Sequence, residues 1–281
     1  MILKQNRIAK ITVGALLLTS FCYAQETVEK TAAPFDLSHW KVTIPEGKPT
    51  SVGFPEIMDY ATNPEINKYM YNDPDGSIVF YAYPSGVTTT NTHYSRTELR
   101  EQMVSGKDKP NWTFSDGGNL KGTLAMGDVS KDLKGKYHKV IIMQIHGRLT
   151  DSQKDLIEED DNNAPPILKI YWDNGKIRVK TKIMKDSDAS DLEVLNTKAW
   201  KDDKGYKFKE KVGFNKFTLE VKVQKGRLEV ILNNKETVVY RSWDIKRWGV
   251  FENYFKAGNY LQTNDYGAFA KVKYYSLKVS H

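Results

Sequence analysis

Three short stretches of this chain carry polar side chains at two-residue spacing, which places them on one face of a β-strand. In Tyr254-Phe-Lys-Ala-Gly-Asn-Tyr-Leu-Gln262, one face holds Tyr254, Lys256, Gly258, Tyr260 and Gln262, while Phe255, Ala257 and Leu261 turn toward a core. In Arg96-Thr-Glu-Leu-Arg100, Arg96, Glu98 and Arg100 oppose Thr97 and Leu99. In Gln144-Ile-His146, an amide and an imidazole share a side. Phenols and an imidazole exchange protons, and a guanidinium neutralises negative charge as it develops. The set therefore suits the handling of a polar ligand and suggests an active site, and the small Gly258 is expected to let that ligand approach the backbone. Singly, each stretch has a plainer reading. An Arg-Glu-Arg alternation is commonly a cross-strand ion-pair ladder, and a histidine ending a core strand is more often structural.

The elements that must position these groups read as strands. Aromatic residues make up 12 % of the chain, with 16 Tyr and 6 Trp, and Gly and Asn-Gly turn signals recur. The patterning predicts strands over residues 36–45, 77–83, 93–103, 137–146, 166–172, 176–184, 217–223, 227–232, 236–240 and 271–279. The strand at 137–146 is apolar enough to be buried on both faces. Asp173-Asn-Gly175 is a hairpin signal between two of the strands, and Lys225-Gly226 joins two more. Many strands, short turns and no repeat of fixed length predict an all-β fold, a β-sandwich of jelly-roll type. The acidic run 158–163 falls in a long loop, either a solvated surface, a lid over the site or a calcium site. The segments 147–166 and 185–212 are where walls of a binding groove are expected.

The ends of the chain carry other signals. Lys4, Arg7 and Lys10 precede a short apolar run and Cys22-Tyr-Ala24, the pattern of a secretory signal peptide over residues 1–24. A short linker, 25–34, and one catalytic domain, 35–281, follow. A secreted or periplasmic protein is expected. Cys22 is the only cysteine, so the mature chain relies on its core rather than on disulfides. Loss of the three basic residues lowers the formal net charge from +7 to +4, a mild excess that suits a polyanion. There is no dense Lys/Arg cluster with interleaved aromatics, so nucleic acid is not expected as a partner. No membrane partner is expected either, and the protein is expected to be a monomer.

Jointly, Arg96-Thr-Glu-Leu-Arg100, Gln144-Ile-His146 and Tyr254–Gln262 resemble, in the same order, the three signature segments of the alginate lyases of polysaccharide lyase family 7. Phe35-Asp-Leu-Ser-His-Trp-Lys-Val-Thr-Ile-Pro45 resembles that family's first strand. The resemblance runs from about residue 35 to the C-terminus. It implies two antiparallel sheets with a concave substrate groove. It assigns catalysis to Arg96, Gln144, His146 and Tyr260, and places Glu98, Arg100, Tyr254, Lys256 and Gln262 in the groove wall or in support of the catalytic groups.

The implied reaction is removal of the uronate C5 proton, followed by expulsion of the 4-O-glycosidic oxygen. Arg96 and Gln144 would stabilise the carboxylate dianion that develops. His146 would serve as donor or base and Tyr260 as acid, with Lys256, Arg96 or Arg100 lowering the phenol's pKa. In guluronate the C5 proton and the leaving oxygen lie on opposite sides of the ring, which fits His146 as base and Tyr260 as acid. In mannuronate they lie on one side, where Tyr260 could do both. Ile145, by resemblance, goes with guluronate-containing substrate. His93, His138 and His146 lack a compact metal-ligand spacing, and no metal or cofactor is expected. A lyase acting on another polyuronate is an alternative, because the chemistry depends on a carboxylate next to C5 rather than on alginate uniquely, and two other classes compete. A glycoside hydrolase would need two flanking carboxylates, whereas Glu98 is the only acidic residue in the three motifs. A non-catalytic carbohydrate-binding sandwich would not call for His146 and Tyr260 together.

Overall fold

The structure, a computed structural model, describes residues 33–89 and 92–281. The expected signal peptide, residues 1–24, and most of the expected linker lie outside the described residues. The strands in chain order are β1 (Trp40–Thr43), β2 (Ser51–Val52), β3 (Met70–Asn72), β4 (Ile78–Ala82), β5 (Arg96–Glu101), β6 (Trp112–Thr113), β7 (Gly118–Val129), β8 (Val140–Arg148) and β9 (Asn163–Asp173). They continue with β10 (Lys176–Met184), β11 (Trp200–Asp202), β12 (Tyr206–Lys211), β13 (Phe217–Gln224), β14 (Arg227–Leu232), β15 (Glu236–Tyr240), β16 (Glu252–Leu261) and β17 (Ala270–Ser280).

Two antiparallel sheets result. One runs β11–β10–β9–β8–β16–β5–β1–β2, with β12 also on β10 and β6 on β16. The other runs β15–β14–β13–β7–β17–β4–β3. This is the jelly-roll sandwich that the strand pattern predicts. Alternation explains the local structure. In β13, Phe217, Leu219, Val221 and Val223 are buried and the residues between them are more exposed. β8 is buried along most of its length, as its apolar run requires. Asn174 and Gly175 both have positive φ (53° and 87°), the two-residue turn that Asp-Asn-Gly predicts.

Three departures have physical reasons. β7, twelve residues long, is not among the expected strands, because three glycines and mixed polarity in GNLKGTLAMGDV hide its period. The segment 147–166 holds a helix, α1 (Asp151–Leu156), and 185–212 holds α2 (Asp191–Leu195) together with β11 and β12. Each helix is a turn or two long, so no 3.6-residue periodicity can show. Their capping boxes are visible in the sequence nonetheless, as Thr150 with Gln153 and Ser190 with Glu193. The acidic run 158–163 is the short link from α1 to β9. Among the described residues no group of three or more His, Cys, Asp or Glu is arranged to hold a metal ion.

Between the sheets lies an apolar core that includes Phe80, Trp172, Phe217, Phe255 and Tyr274. Three polar side chains cross it behind the site. Thr97 Oγ1 donates to Tyr81 O (2.6 Å). Asn259 Nδ2 donates to Phe80 O (3.0 Å) and Ala270 O (2.7 Å). The Tyr274 hydroxyl accepts from Gly258 N (3.0 Å) and donates to Ile142 O. Buried polar groups need such partners, and here the partners lock one sheet to the other.

Candidate active site

The three polar stretches are β5, β8 and β16, and they are neighbours in the middle of the ten-stranded sheet. Register sets the contacts. Lys256 pairs with Arg100 on one side and Gln144 on the other, Tyr254 pairs with His146, and Tyr260 with Arg96. Paired residues share a face, so the side chains converge.

Glu98 organises the floor. It is 2 % exposed. Gln144 Nε2 donates to its Oε1 (2.5 Å), the Lys256 ammonium contacts its Oε2, and Arg96 Nε lies 3.6 Å from the same oxygen. A buried carboxylate between two cations and an amide holds all three side chains in place. Arg100 is equally committed. Its guanidinium donates to Glu101 O (2.7 Å), Asp108 O (2.9 Å) and Asn111 Oδ1 (2.9 Å), and lies 4.3 Å from the centroid of the Tyr254 ring. Tyr254 stacks on His146, with centroids 5.3 Å apart and ring planes 12° apart.

The histidine's protonation follows from its contacts. His146 Nδ1 is 3.0 Å from Gly147 O, which can only accept, so Nδ1 carries the hydrogen and Nε2 keeps its lone pair. Burial, then the charges of Lys256, Arg96 and Arg100, push its pKa down to about 3. At neutral pH it is a neutral imidazole, an available acceptor of protons. Tyr260 differs from expectation. Burial and the Glu98 charge raise its pKa and outweigh Arg96, whose guanidinium carbon is 5.7 Å from the ring centroid. The phenol is thus kept protonated, a donor rather than a phenolate. Burial pushes Tyr254 up to about 12, so it too stays protonated. Lys256 moves the other way: burial lowers it to about 8 despite Glu98.

Arg96, Arg100, Tyr254 and Lys256 line a cavity of about 460 Å³ above the floor. Glu98, Gln144, His146, Tyr260 and Gln262 are not in its lining, and Gln262 Nε2 turns back to donate to Tyr260 O (3.2 Å). Gly258 also corrects its expected role. Its φ is +135°, and a Cβ there would stand 2.6 Å from Thr97 O, so glycine makes room for β5 rather than for a ligand. Sequence reasoning missed Lys41 in the lining, and it placed Arg148 and Asn162 only within an expected wall segment, without naming them; none of the three lies in the three motifs. It also missed the wall in which Lys109 Nζ meets Asp151 Oδ2 of α1 at 2.5 Å. The expected wall at 147–166 does line the cavity, through Gly147, Arg148 and Asp161 to Asn163, whereas 185–212 contributes no residue to it.

A two-sheet β-sandwich with a cationic cleft, a neutral imidazole and a protonated phenol is the make-up of a polysaccharide lyase. The family model for alginate lyases matches residues 35–281, and the chain belongs to that family, as polysaccharide lyase family 7. Among solved structures, alginate lyase A1-II', a member of polysaccharide lyase family 7, is 30 % identical, with a TM-score of 0.70 over 88 % of this chain and 96 % of that one. A doubly substituted form of the same lyase, solved with the substrate GGMG, is 28 % identical, with a TM-score of 0.70 over 89 % and 97 % of the two chains. Alginate lyase PA1167 from Pseudomonas aeruginosa shares the fold at 24 % identity and a TM-score of 0.65, over 88 % and 99 %. No curated protein sequence matches the chain.

Proposed function

We propose that this lyase cleaves the 4-O-glycosidic bonds of alginate by β-elimination, releasing unsaturated uronate-ended oligosaccharides, with preference for guluronate-containing blocks. The observation that carries the reading is a neutral His146 on β8, its Nδ1–H held by Gly147 O, and a Tyr260 held protonated on the neighbouring strand β16. These are the states a separate base and acid need before reaction. Arg96 and Gln144 bind the uronate carboxylate and stabilise the dianion as C5 loses its proton. Glu98 takes one hydrogen of the Gln144 amide and leaves the other for substrate. His146 removes the C5 proton, the C4–O bond breaks, a C4–C5 double bond forms, and Tyr260 protonates the departing oxygen.

A base and an acid on different residues serve guluronate, whose two groups are on opposite faces. Mannuronate would need Tyr260 first as phenolate, the form that burial and Glu98 disfavour. Ile145 is fully buried against the core, so any influence on preference passes through packing. Lyase A1-II' has been solved in complex with the substrate GGMG, which is compatible with this substrate class. The test is a time course on poly-guluronate, poly-mannuronate and mixed blocks, followed by the ultraviolet absorbance of the new double bond. Poly-guluronate and mixed blocks should be degraded faster. Faster loss of poly-mannuronate overturns the preference, and reducing ends without absorbance overturn the lyase chemistry.

In the same reading the mature enzyme acts outside the cytoplasm, supported by the signal-peptide pattern over residues 1–24. N-terminal sequencing of the exported protein should begin at Gln25. No helix among the described residues is long and apolar enough to cross a membrane.

A further inference from the structure

Away from the catalytic floor, four lysines converge on one carboxylate. Lys136, Lys176, Lys207 and Lys211, with Asp173 and Asn174, line a second cavity of about 330 Å³ at the β9–β10 hairpin. Lys176 stands directly opposite Lys211, and Arg178 opposite Lys207. Like charges placed opposite each other across strands destabilise a sheet. The one carboxylate within reach compensates only in part. Asp173 lies 3.5 Å from Lys136 Nζ and 4.0 Å from Lys207 Nζ, and Lys176 and Lys211 form no ion pair among the described residues. Asp173 is 6 % exposed, yet its Oδ1 accepts no hydrogen bond. A buried acceptor whose nearest donor, Lys136 Nζ, stands 3.5 Å away, ringed by ammonium groups in excess, is incomplete as a structural ion cluster.

The cavity is aligned with the catalytic tyrosine. Tyr260 pairs with Ile141, Ile141 with Tyr171, Tyr171 with Arg178, and Arg178 with Lys207. This row crosses β16, β8, β9, β10 and β12 on one face of the sheet. Neighbouring strands are about 4.8 Å apart, so Lys207 lies about 19 Å from Tyr260, or about four pyranose residues along a chain crossing the strands.

We infer that this cavity is an accessory site for a uronate of the same polymer, several sugars from the bond being cut. The lysines take its carboxylate, and Asp173 Oδ1 takes a hydroxyl hydrogen. A sugar acid offers both groups, whereas a bare anion offers only the first. The inference rests on the polyuronate reading of the catalytic site, and its consequence is a dependence on chain length that the catalytic residues do not create.

The test compares wild type with K176A/K211A on long alginate and on alginate trisaccharide, which is too short to span both places. On the polymer, the variant should lose about ten-fold in kcat/KM, mainly through KM. On the trisaccharide it should match wild type within about two-fold. A control, K222A/K225A, removes two lysines from the other sheet and should leave both values unchanged. Equal polymer kinetics for wild type and K176A/K211A, or an equal loss in the control, overturns the inference. Lack of lyase activity in wild type on every polyuronate would instead overturn the catalytic reading. D173A, which removes the acceptor, separates the ligand classes. It should raise KM for polymer if a hydroxyl is bound there, and an unchanged or lower KM, as a bare anion would give, overturns recognition of a sugar acid.

Discussion

Each catalytic side chain owes its state to its neighbours. Tyr260 is a phenol because burial and Glu98 oppose ionisation, and His146 is a neutral base because burial and the charges of Lys256, Arg96 and Arg100 oppose its protonation, while its Nδ1–H is held by Gly147 O. Y260F removes the proton donor and should lower kcat by about 10²–10⁴-fold, with a much smaller change in KM. Unchanged turnover on polymer would sink the assignment. Lys256 gives a pH signature. Its pKa lies at about 8, below the ordinary value for lysine, so the ammonium is charged below that pH and lost above it. The proposed contact of Lys256 with a substrate carboxylate would therefore weaken as pH rises through 8, and KM should climb there. K256R, with a guanidinium that stays charged, should keep KM flat over the same range. A wild-type KM that stays flat to about pH 10 would show that the lysine does not bind substrate.

At the scale of elements, the site depends on how β16 sits between β8 and β5. Against β5 its pairing is regular, but against β8 it slips: Ala257 meets Met143 and Tyr260 meets Ile141. Such an irregularity leaves backbone groups unpaired. Tyr274, reaching across from β17, satisfies two of them, Gly258 N–H and Ile142 O. Y274F keeps the ring, which packs edge-on to Phe80 with centroids 5.4 Å apart, and removes only the hydroxyl. It should lower thermal stability by about 1–3 kcal/mol and reduce kcat more than it raises KM, because Tyr260 and Gln144 lie to either side of the slip. Melting and kinetics indistinguishable from wild type would mean that the hydroxyl bridge holds nothing. G258A meets Thr97 O at 2.6 Å and should be the more damaging substitution, read as loss of soluble protein or a lower Tm.

For the whole molecule, the two sheets are joined behind the site by Thr97, Asn259 and Tyr274, and the chain's end is tied to the same region. His281 Nε2 meets Glu101 Oε1 at 2.6 Å, while the other oxygen of this buried carboxylate accepts from Trp112 Nε1 and Phe255 N. Burial alone would lower the pKa of His281, but the Glu101 carboxylate outweighs it and the net shift is upward. A histidine whose folded pKa is raised contributes stability fully below its unfolded value, and that contribution fades as pH rises through the folded pKa. H281A should therefore lower Tm more at about pH 5.5 than at about pH 9. An equal loss at both values would show that the imidazole contributes packing alone, through its contacts with Trp112 and Phe255.

Most of the sandwich was legible in the sequence because each strand's period of two is written in its own residues. Hairpins such as Asp173-Asn-Gly175 are local chemistry, and α1 and α2 left readable caps. The chemistry-bearing residues Arg96, Glu98, Arg100, Gln144, His146, Tyr254, Lys256 and Tyr260 were legible for the same reason, as polar faces on alternating strands. The wall at 147–166 was legible only as a segment, and its individual contacts, with Lys41, Arg148 and the Lys109–Asp151 pair, were not, since those residues are ordinary surface types until distant loops meet. The hidden strand β7, the slip at Gly258 and the bridging Tyr274 likewise depend on partners far along the chain. Sequence alone determined the fold class and singled out the groups proposed to react. Only the tertiary structure decided their protonation, because burial and the charges of Glu98, Arg96 and Lys256 act through space, and a strand does not encode what lies beside it.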